Sequence, residues 1–287
     1  MTDIRDERLA GQLGELGRAQ LPQRPSYWTG FARDLAESFQ RWQLWWLLGY
    51  NDVRQRYRRS RVGQLWITIS MGIFIVAIGP VYALLFNTEL KEFLPYLTVN
   101  IVVWGFISSM INDACTAFIQ ADGYIRQERL PKIGFLYRIL VRNFLILGHN
   151  ALLIPLVFMA FGKPVGSVAL LAIPGLIIVT VNCLLMALFL ATICARFRDF
   201  PQIVTNVVQV AFFLTPIFWQ KKQILTDYHF VVDYNPFASL LSVVSSPILG
   251  KVPTMFEYGM CLVMTLVVGL VAVPFFARFR ARIVYWL

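Results

Sequence analysis

Five arginines stand close together at residues 54–61, and their spacing suits phosphate chemistry. They are Arg54, Arg56, Arg58, Arg59 and Arg61, with Tyr57 among them. A guanidinium group donates two parallel hydrogen bonds to phosphate oxygens. One hypothesis is a rim that recognises a phosphate-bearing headgroup. The alternative is a topological anchor that touches anionic lipid, and the residues are compatible with both.

Catalytic, metal and nucleotide chemistry is missing from the sequence. It contains no G-x-x-x-x-G-K-[ST] stretch for ATP phosphates and no C-x-x-C pair. No cluster of His, Cys and carboxylates has metal-ligand spacing. We expect no catalytic residue, no metal and no cofactor in this chain. His149 and Asn150 stand together in an apolar stretch, where interhelical hydrogen bonding is their expected role.

The composition indicates a polytopic membrane protein. Of the 287 residues, 57% are hydrophobic and only 15% are charged, whereas soluble domains carry about 25% charged residues. Six stretches approach the roughly 20 apolar residues that cross a bilayer. They are Trp66 to Phe86, Pro95 to Gln120, Ile139 to Phe161, Val168 to Ala195, Ile203 to Trp219 and Tyr258 to Phe276. The sequence therefore predicts an all-α fold with six transmembrane helices.

Basic residues are distributed unevenly between the connections. The N-terminal region, the second and fourth connections and the tail hold 21 lysines and arginines, and the other three connections hold 5. This bias predicts that both termini are cytoplasmic. The net charge of +10 needs no nucleic-acid partner, because no polar domain concentrates it. Asp113, the one acid well inside a predicted span, is expected near the inner surface.

An amphipathic helix is predicted before the first span, over residues 31–61 together with the basic rim. Apolar residues recur from Phe31 to Tyr57 in steps of three and four, and polar and charged residues occupy the opposite face, three of them arginines. Such a helix suits the headgroup layer. Residues 1–30, rich in Gly, Pro and Gln, are predicted to form a flexible cytoplasmic arm.

Two connections on the inner side mix charge with apolar residues. The segment from Asp122 to Arg138 is the longer one, and 196–201 is the shorter one. Short amphipathic loop helices dock into grooves of partner proteins. Anchoring in the membrane interface is the alternative for each.

The connection after the fifth predicted span is long, running from Gln220 to about Glu257. Its apolar pieces, Phe230 to Val232 and Phe237 to Leu249, are too short to span a bilayer. Backbone that enters the membrane without spanning it must be buried in protein or line an aqueous cavity. Two short re-entrant helices that form an outer gate would meet this condition. A small folded cap is the alternative.

Three motifs together resemble a known family. Arg54-Gln-Arg-Tyr-Arg-Arg-Ser-Arg-Val-Gly-Gln-Leu-Trp66 resembles the motif leading into the first span of type-2 ABC (ABC-2) exporter permeases. The stretch 194–204 with 212–219, and Tyr234-Asn-Pro-Phe237 with Pro247-Ile-Leu-Gly250, are similar to the polysaccharide branch of that family. Within the branch, which includes capsule and teichoic-acid exporters, the O-antigen type is favoured.

The resemblance implies a homodimeric permease in the bacterial inner membrane, bound to two copies of an ABC ATPase encoded separately. ATP and magnesium would belong to that ATPase. The substrate would be a lipid-linked polysaccharide on an undecaprenyl diphosphate carrier. Residues 62–287 would form the six-helix transmembrane domain, with a coupling loop at 122–136 and an outer gate loop at 220–253. The arginines of the rim would meet the diphosphate.

The resemblance also implies roles for two groups of side chains. The coupling loop would contact the ATPase through Tyr124, Ile125, Arg126, Glu128, Arg129, Leu130 and Lys132. A sugar polymer needs hydrogen bonds and stackable rings rather than charge, because aromatic faces suit sugar C–H surfaces. The candidate rings of the conduit are Tyr82, Phe86, Tyr96, Trp104, Phe213, Phe218 and Trp219.

Three other functions compete with this interpretation. An ABC-2 exporter of capsular polysaccharide, teichoic acid, a drug or a small lipid would share the topology. A membrane-embedded transferase would require an acidic pair near a polar cavity, and none is evident. A structural membrane protein would leave the inner loops without a role in energy coupling.

Overall fold

A computed structural model describes residues 26–56, 58, 62–223 and 229–287. The described residues form helices and contain no β-strand. The α-helices are α1 (Tyr27–Gln40), α2 (Trp42–Arg56), α3 (Leu65–Leu85), α4 (Leu90–Gln120), α5 (Asp122–Gln127), α6 (Ile133–Ala151), α7 (Leu153–Ala160), α8 (Ala172–Arg196), α9 (Phe200–Leu214), α10 (Phe230–Asp233), α11 (Pro236–Ile248), α12 (Met255–Phe279) and α13 (Ile283–Trp286). Short 3₁₀ turns occupy Ser167–Leu171, Lys221–Gln223 and Arg280–Arg282.

Five helical stretches are long and apolar enough to cross a membrane, as predicted for a multi-pass protein. They are Leu65–Leu85, Leu90–Gln120, Ile133–Ala160, Ser167–Arg196 and Met255–Trp286. Each contains most of a predicted span. We call the end of the bundle that carries Arg138, Arg196 and Arg280 the arginine end, and the opposite end, with Lys163, Lys221 and Lys251, the lysine end.

The fifth predicted span is shorter than expected. Instead of reaching Trp219, α9 has 15 residues and ends at Leu214, and Thr215 is extended with φ −91° and ψ 138°. Pro216 explains this end, because the residue before a proline is driven out of the helical region. A helix of this length rises about 22 Å, which is less than the thickness of the hydrocarbon core. The sixth crossing therefore stays a prediction.

The predicted helix over 31–61 is two helices, and it begins earlier than expected. The break falls at Arg41, and α1 starts at Tyr27, inside the predicted arm. Residues 1–25 of that arm lie outside the described residues. Trp45 Nε1 donates a 2.9 Å hydrogen bond to the Ser38 carbonyl across the break. This bond ties the two helices together.

A different face of α1 and α2 is buried from the one that the apolar stripe suggested. The buried positions include Gly30, Asp34, Ser38, Trp45 and Gly49. The aromatic stripe is instead largely exposed, at Phe39, Trp42, Trp46 and Tyr50. Gly30, Ser38 and Gly49 let the two helices approach the bundle closely, and Trp45 is the large ring that is buried with them, while the rings of the stripe stay outside. Placement of the stripe in a headgroup layer remains a prediction.

Helix α4 is the centre of the bundle. Its most apolar window is 78% buried, against 22–39% for the other four candidate spans. Phe93, Leu97, Ile107, Met110 and Phe118 are fully buried along its length. The other long helices have apolar faces that none of the described residues cover, as expected where lipid or another chain covers them.

The long connection at the lysine end contains two short helices, α10 and α11, where the apolar pieces of the sequence lie; their entry into the membrane as an outer gate stays a prediction. Asn235 caps α11, accepting a 3.0 Å hydrogen bond from the Phe237 amide. Its Nδ2 donates to the Leu214 carbonyl at 3.3 Å and the Thr215 hydroxyl at 3.2 Å. The end of α9 is thereby fastened to the start of α11. Much of α11 is buried in protein.

The contact between α8 and α11 depends on a glycine. A Cβ added at Gly175 would lie 2.1 Å from the Val243 carbonyl oxygen, and backbone cannot rotate away as a side chain can. Gly148 on α6 provides a control, because an added Cβ meets nothing within 4 Å.

We expect Gly175→Ala to destabilise the protein by about 1–3 kcal/mol, because it overpacks this contact. Gly148→Ala should leave stability unchanged or slightly raised, since alanine favours a helix more than glycine does. The thermal unfolding midpoint of each variant in detergent measures this. Equal midpoints for the two variants would contradict the close packing of α8 on α11.

Candidate functional site

A partly buried ionic network lies at the arginine end. Arg138 donates two hydrogen bonds to Asp52, with Nε 2.8 Å from Oδ2 and Nη2 2.6 Å from Oδ1. Arg142 lies between two acids, with Nη1 3.7 Å from Asp52 Oδ2 and Nη2 2.8 Å from Asp113 Oδ2. The second contact is an ion pair outside hydrogen-bonding geometry. Asn143 donates to the same Asp113 oxygen at 2.9 Å.

This network joins helix α2 to the bundle. Asp52 belongs to α2, Asp113 to α4, and Arg138, Arg142 and Asn143 to α6. Arg142 is buried, and a buried charge is tolerated only with such partners. Asp113 is therefore one member of an ion pair rather than an isolated intramembrane acid. Any displacement of α2 would have to carry or break these contacts.

A second polar contact fastens α1 at the same end. The buried carboxylate of Asp34 accepts a 3.0 Å hydrogen bond from the Ile133 amide and another from Arg280 Nη1, also 3.0 Å. It links the first described helix to α6 and to the turn after α12. Lys132 is nearby, and burial lowers the pKa of its ammonium group, although Asp34 opposes that effect.

The predicted phosphate rim lies partly within the described residues. Arg54 and Arg56 are exposed in the last turn of α2, and Arg58 is exposed beyond it. Arg59 and Arg61 lie outside the described residues, as does Tyr57. Three guanidinium groups are thus presented at the arginine end next to the network.

The predicted coupling loop contains the six-residue helix α5, and part of the surface of this loop is exposed. Tyr124, Arg126, Glu128 and Arg129 are exposed, and Arg126 pairs with Asp122. Leu130 and Lys132 are half-buried. Ile125 differs from expectation: it is 7% exposed and packs in the core, because it occupies the inward face of the short helix.

Three of the seven predicted conduit rings pack against one another, and a fourth is joined to them through another ring. Tyr82 and Phe218 are stacked at 5.0 Å between ring centroids, and Phe86 lies 5.8 Å from Tyr82. Phe212 connects Phe218 at 4.9 Å to Trp104 at 5.9 Å. Phe218 and Trp104 are buried within this protomer, so these two rings are core residues here.

The remaining three rings surround the end of α9. Tyr96 donates its hydroxyl to the carbonyls of Pro216 and Trp219, at 2.6 and 2.8 Å. Trp219 Nε1 donates to the Phe213 carbonyl at 3.2 Å. Phe213 itself is 61% exposed. Of the seven predicted rings, it is the one most open to another chain or to a substrate.

A row of amides on α9 was not singled out from the sequence. Gln202, Asn206 and Gln209 are exposed at helical spacing, in line with Phe213. Gln202 Nε2 lies 3.3 Å from Asn206 Oδ1. The sequence signal that could have identified this row is the spacing of its polar residues, four and then three positions apart, within a short apolar stretch. The row is a polar face on a helix that is otherwise apolar.

His149 differs from the expected interhelical role. Its Nδ1 lies 2.7 Å from the Leu145 carbonyl of the same helix, and its own carbonyl accepts a 2.9 Å hydrogen bond from Thr68 on α3. Within the described part of the chain, no group of three or more His, Cys, Asp or Glu residues could hold a metal ion. The four cysteines are free and buried.

Comparison with known protein families identifies the family of this chain. Residues 43–249, more than half of it, match the ABC-2 type transporter family. The chain belongs to this family. The ABC-2 match begins in α2 and ends just after α11. It therefore includes the ionic network, the coupling loop and the amide row of α9.

This ABC-2 chain is also similar to individual curated proteins. It is 27% identical over 201 residues to the O-antigen export system permease protein RfbA of Myxococcus xanthus, covering 67% of this chain and 74% of that protein. Two proteins of the same name from Klebsiella pneumoniae are 22% and 21% identical over 195 residues, covering 66% of this chain and 74% of each.

We expect the ionic network to stabilise the docking of α2 in this ABC-2 permease. Asp52→Asn leaves Arg138 and Arg142 without their shared charge, at a cost of about 3 kcal/mol. The control is Glu37→Gln, which breaks the exposed Arg33–Glu37 pair on α1 and should barely move the thermal unfolding midpoint. A small and equal effect of both substitutions would show that the network does not hold α2.

Proposed function

We propose that this chain is the membrane subunit of an exporter that moves a lipid-linked polysaccharide of the O-antigen type across the cytoplasmic membrane. The observation that carries the proposal is its membership of the ABC-2 family together with relatives named as O-antigen export permeases. The carrier lipid in this proposal is undecaprenyl diphosphate.

The energy in this scheme comes from a separate protein. The sequence has no phosphate-binding loop for ATP, so ATP and magnesium would be bound by two copies of an ABC ATPase. The exposed Tyr124, Arg126, Glu128 and Arg129 offer that partner a mixed polar and aromatic surface. Movement of this loop would reach α6 directly, since the loop includes Ile133, where that helix begins.

Six crossings, with both termini cytoplasmic, are part of the proposal. The sixth needs the chain to continue beyond α9 without a helix. Non-helical backbone at membrane depth must be satisfied by protein. Tyr96 supplies hydrogen bonds to the carbonyls of Pro216 and Trp219, and Ile217 and Phe218 are buried. These contacts support a protein-lined crossing over α9 and residues 215–219.

A second copy of the chain would complete the conduit. Lipid has no hydrogen bonds to offer Gln202, Asn206 and Gln209, which makes contact of this face with hydrocarbon unfavourable. Two copies facing each other through α9 would enclose the amides in a polar passage. Amide groups and the exposed ring of Phe213 are the chemistry that a hydrated, largely neutral polymer requires.

The arginines at the end of α2 would bind the diphosphate of the carrier. Arg54, Arg56 and Arg58 are exposed at the arginine end, where a headgroup in the inner leaflet would lie. They adjoin Asp52, which is held by Arg138. Asp52 and Arg138 thus connect the rim to α6, and binding of a headgroup at the rim would be transmitted to that helix.

The export function predicts a specific phenotype when the gene is deleted. A strain that lacks this chain should lose long surface polysaccharide and accumulate the lipid-linked polymer in the cytoplasmic membrane, because synthesis continues while export stops. Complementation with the wild-type gene should reverse both effects. Gel analysis of surface glycolipid, with extraction of the carrier-linked polymer, measures them. Unchanged surface polysaccharide, or loss of a capsule or teichoic acid instead, would overturn the O-antigen assignment.

The rim predicts a defect in export without a defect in folding. In the complemented strain, the triple substitution of Arg54, Arg56 and Arg58 by Gln should reduce surface polysaccharide by about tenfold, the effect of losing one charge-assisted contact. Arg41→Gln, at an exposed arginine outside the rim, is the control. Membrane abundance of each variant is measured in parallel. Normal export by the triple variant would remove the phosphate-binding role.

A further inference from the structure

A cavity at the lysine end adjoins Tyr96 and Pro216 and is otherwise lined mainly by residues outside the sites described above. Its volume is about 420 Å³, and it lies between the start of α4, residues 216–221, α10, α11 and the start of α12. Sites for small ligands occupy roughly 300–1,000 Å³. The cavity is therefore large enough for a ligand of one or two sugar rings.

One wall of this cavity is a row of hydroxyl groups on α11. Ser239, Ser242, Ser245 and Ser246 face it at helical spacing. The hydroxyls of Ser242 and Ser246 lie 2.8 Å apart and exchange a hydrogen bond. The other side of α11 is apolar core, so this helix separates a hydroxyl-lined wall from packed hydrocarbon.

The opposite wall contains a buried amide whose hydrogen bonding is incomplete. Asn100 on α4 is 2% exposed, and its Nδ2 makes no hydrogen bond of good geometry to any of the described residues, although it interacts with the Tyr96 hydroxyl one helical turn earlier. Buried polar groups are almost always well paired, and one that is not needs an explanation. Because Asn100 lines the cavity, a ligand in the cavity would offer its Nδ2 a better placed acceptor.

The charges around the cavity cancel. Lys221 Nζ lies 2.5 Å from Asp233 Oδ1, and Glu257 accepts hydrogen bonds from the amide and hydroxyl of Thr254. Lys251 balances Glu257 in formal charge. A charged ligand, whether an anion or a cation, would meet side chains of both charges in this cavity. The cavity instead suits a neutral ligand with many hydroxyl groups and an apolar face, since Phe256 provides a ring at its edge.

We propose that this cavity binds one or two sugar units of the polysaccharide at the lysine end of the permease. Asn100 donates to a hydroxyl or ring oxygen of the sugar, and the α11 serines exchange hydrogen bonds with its hydroxyls. The source of the sugar rests on the proposed export function. The site holds a short stretch of polymer between α4 and α11, beside the segment that leaves α9.

The test uses the full-length protein in lipid nanodiscs and a defined probe. The probe is a short oligosaccharide released by mild acid from the surface polysaccharide of the strain that encodes this chain. Its dissociation constant is measured by calorimetry. We expect Asn100→Leu, which removes the donor, and Ser242→Leu, which fills the cavity, each to weaken binding at least tenfold. Ser167→Leu, at an exposed serine outside the cavity, should leave binding unchanged.

The outcomes separate this proposal from the export function. If the wild type binds the sugar and both cavity variants have dissociation constants within twofold of its value, the sugar binds elsewhere and the proposed site in the cavity is wrong. If the wild type binds no sugar although deletion of the gene abolishes surface polysaccharide, the proposed sugar site in the cavity is wrong and the export function stands. Deletion without effect on the polysaccharide would overturn export itself. If Asn100→Leu does not fold, Ser242→Leu decides alone.

Discussion

Hydrocarbon provides no hydrogen-bond partners, and this constraint governs the rest of the structure. The described chain meets it with helices, whose backbone groups are satisfied internally. Where the helix stops at Thr215, the hydroxyl of Tyr96 and the amide of Asn235 supply the missing partners. The long connection after α9 follows the same rule, because α11 is mostly buried in protein.

Side-chain polarity is arranged by the same constraint. At the arginine end, Asp52, Asp113, Arg138 and Arg142 neutralise one another across three helices. At the lysine end, hydroxyls and an amide surround a cavity of zero formal charge. Ionic contacts thus lie where a charged carrier headgroup and an ATPase would act. Neutral hydrogen-bonding groups lie where an uncharged polymer would leave.

The proposed mechanism links these two ends through α4 and α6. Helix α4 carries Asp113 near one end and Asn100 and Tyr96 near the other, and it is the most buried of the long helices. A movement that begins at the coupling loop or at α2 has to reach the lysine end through this packed core. Helix α9, which carries the amide row, lies beside α4, since Thr205 donates a 3.0 Å hydrogen bond to Asn112.

The sequence by itself determined the class of protein, five of the six predicted apolar spans and the absence of a nucleotide motif. These follow from composition and from stretches long enough to fill a bilayer, which are local properties of the chain. Only the tertiary structure decided that Ile125 and Trp104 are core residues, that α1 and α2 bury their small residues, and that Asp113 has Arg142 as partner. Partner choice and burial depend on residues far apart in the chain, as Asn100 and Ser242 illustrate. Periodicity marks a polar face, but it does not say which neighbour meets that face.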